Sequence, residues 1–131
     1  MAVAGAATEF RDDDLSLIAA ADLSALKGTI VRVTAEQSVN VVTVATQQPI
    51  GILINKPISG AAALVRVRGK CKAIAGAAIT VGARLMWGTG GKVITLSGTT
   101  NYVVGVALQA AGADGDVIEI LVTTGEQPAA A

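Results

Sequence analysis

Leu64-Val-Arg-Val-Arg-Gly-Lys-Cys-Lys-Ala73 is the stretch that decides the fold. Val65, Val67, Gly69 and Cys71 alternate with Arg66, Arg68, Lys70 and Lys72. A period of two sorts these sets onto opposite faces of an extended chain. Residues 64–73 are therefore predicted to form one strand, with an apolar face on a core and a basic face outward. Successive basic side chains on that face would stand about 7 Å apart.

Working outward, the same chemistry recurs in both directions. Thr29–Thr34 and Val39–Thr46 are rich in β-branched residues and flank Ala35-Glu-Gln-Ser38, which predicts a hairpin. Ile50, Ile52 and Ile54 alternate with Gly51 and Leu53, and Asn55-Lys-Pro-Ile-Ser-Gly60 supplies a turn. Downstream, Arg84–Trp87, Lys92–Leu96, Tyr102–Ala107 and Val117–Thr123 read as short strands separated by glycine-bearing turns. One helical turn is predicted at Asp22-Leu-Ser-Ala-Leu-Lys-Gly28, with Asp22 as N-cap and Gly28 in the left-handed conformation after it. Strands spaced by roughly ten residues predict a small all-β sandwich or barrel. One domain is expected, with an extended N-terminal arm over 1–14, a β domain over 15–123 and a disordered C-terminal tail over 124–131.

Composition limits what such a domain does. Hydrophobic residues make up 52% of the 131-residue chain but aromatics only 2%, so the apolar content is mostly Ala, Val, Ile and Leu. At about 25 cal/mol per Å² of buried apolar surface, small side chains build a thin core. A thin core favours support from a partner surface, either an oligomer or a larger assembly. Lysine plus arginine equal aspartate plus glutamate at 10 each, which gives no global charge for nucleic acid or an anionic membrane. Nucleic-acid grooves also use stacking aromatics, which this chain scarcely has. There is no run of ~20 apolar residues of the length needed to span a bilayer. Met1-Ala-Val-Ala-Gly-Ala-Ala7 lacks the basic start of a signal peptide, so synthesis and folding in a cytoplasm are expected.

Catalytic and metal chemistry find little support. The chain has no histidine, which removes the commonest general base and nitrogen ligand, and Cys71 is its one cysteine. Cys71 falls on the apolar side of its strand and is expected to be a packed thiol. Gly88-Thr-Gly-Gly-Lys92 has neither the spacing nor the following Ser or Thr of a phosphate loop and is expected to be a hairpin turn. Asp12, Asp13, Asp14, Asp114 and Asp116 lie in segments expected to be exposed, and turn formation accounts for Asp114 better than acid–base chemistry does. No catalytic residue, metal site or cofactor is expected.

Two features point to contact with other chains. The stripe Arg66, Arg68, Lys70 and Lys72 is either a solvated strand face or an electrostatic strip for an acidic protein surface. Phe10, the chain's one phenylalanine, lies in the arm beside Arg11 and Asp12. That arm is either a disordered terminus or a segment anchored by Phe10 in a pocket on a neighbouring subunit.

Pro49-Ile-Gly-Ile-Leu-Ile-Asn-Lys-Pro57, Val65-Arg-Val-Arg-Gly-Lys-Cys-Lys-Ala73, Ala77-Ala-Ile-Thr-Val-Gly82, Tyr102-Val-Val-Gly-Val-Ala-Leu-Gln-Ala110 and Asp116-Val-Ile-Glu-Ile-Leu-Val122 follow one another in a recognisable order. From about Ala21 to Thr123 the chain resembles the small capsid decoration, or cement, proteins of tailed bacteriophages. The resemblance implies a compact β fold of β-clip or β-tulip style. It further implies a homotrimer on the outer surface of the virion, bound to a major capsid protein of HK97-type fold after the shell expands. It supplies no catalytic residues. In related systems an N-terminal arm pairs with the capsid protein, which makes Phe10, Arg11 and Asp12 candidate capsid-binding residues beside Arg66, Arg68, Lys70 and Lys72. A host-surface or carbohydrate-binding module displayed on the virion is the alternative. Sugar sites need exposed aromatic platforms, and the only candidates, Trp87 and Tyr102, are expected in the core.

Overall fold

The computed structural model describes residues 13–43, 47–97 and 102–126. These fold into ten strands: β1 Asp14–Ala19, β2 Ile30–Ala35, β3 Ser38–Val41, β4 Gly51–Leu53, β5 Ala62–Arg66, β6 Gly69–Ile74, β7 Arg84–Trp87, β8 Val93–Thr95, β9 Val103–Ala107 and β10 Val117–Glu126. The first five close into a barrel in the order β1-β3-β2-β4-β5, and the rest form a sheet in the order β6-β10-β9-β7-β8. The all-β architecture expected from the sequence is present, with no α-helix among the described residues.

The barrel closes through the antiparallel β1–β5 pair, which runs from Asp14↔Arg66 to Ile18↔Ala62, while β1 meets β3 in parallel. The second sheet also curls toward closure. Ala75, just past β6, bridges to Val93 of β8, and the Gly76 N–H donates to the Val93 carbonyl at 2.8 Å. Alternation in β2 and β4 then joins the two halves. Val31 and Leu53 point into the barrel with Leu23, Val39, Ala63 and Val65. Their neighbours Ile30 and Ile52 point the other way, into a core shared with Leu85, Trp87, Val93, Val104 and Ile120 of the second sheet. The start of β2, Ile30 and Val31, and all of β4 are thus buried on both faces, whereas β2 is exposed from Val33 onward.

The stretch 64–73 departs from expectation. It is two strands in two different sheets rather than one strand. The break spans Val67 and Arg68, and β6 starts at Gly69, whose φ of +104° lies in a region that L side chains rarely adopt. Burial nevertheless alternates on both sides of the break, because Val65 enters the barrel core and Cys71 the other core. The basic stripe therefore does not lie along one strand.

Three other boundaries shift. β1 is a strand not foreseen in the sequence, and it begins at Asp14, the last residue of the expected arm. β10 runs to Glu126, past the expected end of the domain at Thr123. Residues 22–28 form turns and no helix. So short a segment does not recover the cost of helix nucleation. Asp22 Oδ1 instead accepts the Ser24 N–H at 3.0 Å, the Leu26 N–H donates to the Leu23 carbonyl at 3.0 Å, and Leu23 is buried in the barrel. Gly28 does take the positive φ expected of it, at +90°.

Candidate functional site

The structure splits the basic residues into members with partners and members without. Arg66, at the end of β5, grips Asp14 of β1 with both ends of its fork: Nε to Oδ1 at 2.6 Å and Nη2 to Oδ2 at 3.0 Å. Its Nη1 donates to the Lys70 carbonyl at 2.7 Å, which ties β5 to β6 across the break. The Arg66 guanidinium holds the Asp14 carboxyl below its ordinary pKa, chiefly by hydrogen bonding, against a smaller opposing effect of burial. Lys70 pairs with Glu119 of β10 at 3.3 Å. Arg68 and Lys72 form no ion pair among the described residues. Asp13, Asp14, Arg66, Arg68, Gly69 and Lys70 line a shallow hollow in which the charges largely cancel.

Lys72 belongs to a different neighbourhood. With Lys27, from the β1–β2 connection, and Lys56, from the β4–β5 connection, it rims a cavity of about 390 Å³. Ala25, Gly28, Ala73, Ile74 and Val117 supply its apolar lining, and Val117 is 60% exposed. No carboxylate lines this cavity. Sequence reasoning missed it because Lys27 and Lys56 sit in connections distant in sequence from each other and from β6. Only the packing of those loops against β6 brings the three cations together. Phe10, Arg11 and Asp12 lie outside the described residues.

The features weighed as chemistry prove structural. Cys71 is 8% exposed within the larger core, and desolvation pushes its thiol up to about 11, far from a reactive thiolate. Gly88–Lys92 is a tight turn between the antiparallel strands β7 and β8, closed by the Gly88 N–H donating to the Lys92 carbonyl at 2.8 Å. Lys92 Nζ reaches Asp114 at 3.0 Å. Asp116 Oδ2 accepts the N–H groups of Gly112 and Ala113, at 2.8 and 3.2 Å, and so fixes the turn before β10. Trp87 is 4% exposed and stacks on the half-buried Tyr102, with ring centroids 6.4 Å apart, which leaves no aromatic platform there for a sugar. No cluster of His, Cys, Asp and Glu among the described residues is placed to hold a metal.

The β domain thus carries on its surface a partly apolar cavity rimmed by Lys27, Lys56 and Lys72 and a charged hollow at the β5–β6 corner. The sequence model of the phage cement protein family matches residues 11–123. The chain belongs to that family. It is thus a structural cement protein of a phage, as the resemblance led us to expect. A solved structure supports the fold: the head fiber gp8.5 N base of bacteriophage phi29 matches this cement protein with a TM-score of 0.63 at 17% identity, covering 83% of this chain and 92% of that one. A search of curated proteins returns no match.

Proposed function

We infer that the protein binds the major capsid protein on the outer surface of an HK97-type phage shell, as a trimer, and stabilises the expanded lattice. The observation that carries this is the family match over nearly the whole β domain. The physics is compatible with it. Repetition across a symmetric lattice turns modest single contacts into strong holding, so a cement protein needs a preformed scaffold more than a deep pocket. The closed barrel and the curled second sheet supply that scaffold. The surfaces proposed to touch the shell are the segment with Phe10, Arg11 and Asp12 and the basic groups Arg68, Lys70 and Lys72. Arg66 serves them by fixing the β5–β6 corner.

Co-sedimentation of the purified protein with emptied phage heads tests this reading. Expanded heads should carry the protein down at far lower protein concentration than unexpanded ones. Equal recovery with both, or recovery with neither, would contradict it.

A further inference from the structure

The backbone around Lys72 is left open in a way the side chains do not reveal. β6 is an edge strand, paired on one side with β10. Lys72 stands opposite Glu119 in that pair. Glu119 spends its own backbone elsewhere: its N–H donates to Gln109 Oε1 at 2.8 Å and its carbonyl accepts the Leu108 N–H at 2.9 Å. Lys72 and Glu119 are therefore a non-hydrogen-bonded pair of the ladder, and the Lys72 N–H and C=O point away from β10. The residues on either side share this orientation and are occupied. The Ile74 N–H donates to the Gly28 carbonyl at 3.0 Å, and the Lys70 carbonyl accepts from Arg66 at 2.7 Å. Between those fixed points, the Lys72 donor and acceptor have no partner among the described residues, and they face the side of β6 where the lysine-rimmed cavity lies.

An unpaired strand edge is a template for a further extended segment. The chemistry around this one selects its sequence. Lys27, Lys56 and Lys72 form no ion pair among the described residues, Glu119 opposite Lys72 is engaged by Lys70, and no carboxylate lines the cavity, so an entering chain meets three lysines at its rim. Ile74, Ala25 and the exposed Val117 give an apolar floor for one side chain. We propose that the gap in the β6 edge at Lys72 is a docking site for an extended, acidic segment of the capsid protein, which pairs with the Lys72 backbone and places its carboxylates on Lys27, Lys56 and Lys72. This rests on the capsid-binding function inferred above and names the partner's chemistry at one site.

The test uses the full-length protein and expanded heads. Lys27→Glu, Lys56→Glu and Lys72→Glu combined should weaken co-sedimentation by at least about tenfold, whereas the same three changed to Gln should weaken it less and flatten its salt dependence. Thermal melts establish that both variants are folded. A photo-crosslinking residue in place of Ser24, which lines the cavity, should join an acidic stretch of the capsid protein on bound particles. Normal binding by the folded Glu variant would overturn the proposal while leaving the capsid-binding function intact. So would a crosslink to residues 1–12 of this protein or to a basic stretch of the shell. Failure of the unaltered protein to bind heads would overturn both.

Discussion

Arg66, a candidate docking residue, also fastens the fold. Its five donors suit a carboxylate and a carbonyl at once, and the structure supplies Asp14 and Lys70 for them. Asp14→Asn should therefore destabilise the fold, on the order of 0.5–1 kcal/mol for so exposed a pair. The pH sign follows from the lowered carboxyl. A carboxylate held below its ordinary value of 3.8 contributes fully above that pH and loses its contribution as pH falls through the lowered value. The melting temperatures of the parent and Asp14→Asn should differ at neutral pH and converge in strong acid. A gap that persists unchanged at low pH would mean that the pair is not its source. Charge reversal of Arg68 is a cleaner probe of docking than reversal of Arg66, since Arg66 also holds the β5–β6 corner.

Among the elements, β9 and β10 lie inside the second sheet, and Gly105 of β9 pairs with Val122 of β10. A Cβ at Gly105 would run into the Leu121 carbonyl, which is backbone and cannot swing aside. Gly105→Ala should thus cost about 1–3 kcal/mol by overpacking, read as a lower urea midpoint with an unchanged slope. A neutral result would show that the β9–β10 spacing relaxes at small cost. The elements also show what local sequence can carry. The hairpin β2–β3 and the strands β7, β8 and β9 were legible because β-branched runs are bounded by turn residues. β1 was not, although Leu15 and Leu17 alternate with Asp14 and Ser16, because the run is short and adjoins the acidic stretch Asp12–Asp14. The break before Gly69 was hidden for a different reason. Alternating burial reports that a residue faces a core, but not which core, so a strand that changes sheets keeps its pattern.

At the scale of the whole molecule, two small cores are joined through Ile30 and Ile52, and the larger contains the stacked Trp87–Tyr102 pair. That answers how so few aromatics hold a fold: the start of β2 and all of β4 are covered on both faces, and each half lends surface to the other. Cement function was legible only through the resemblance of the ordered segments to a known family, because no single motif carries it. The lysine cavity and the open edge at Lys72 were not legible, since they arise from packing between distant loops. A cryo-EM map of the intact particle tests the account most directly. It should show this two-part β domain as trimers on the outer face of the shell, with capsid-protein density against the β6 edge. A bare outer surface, or the domain found at the tail or inside the head, would contradict it.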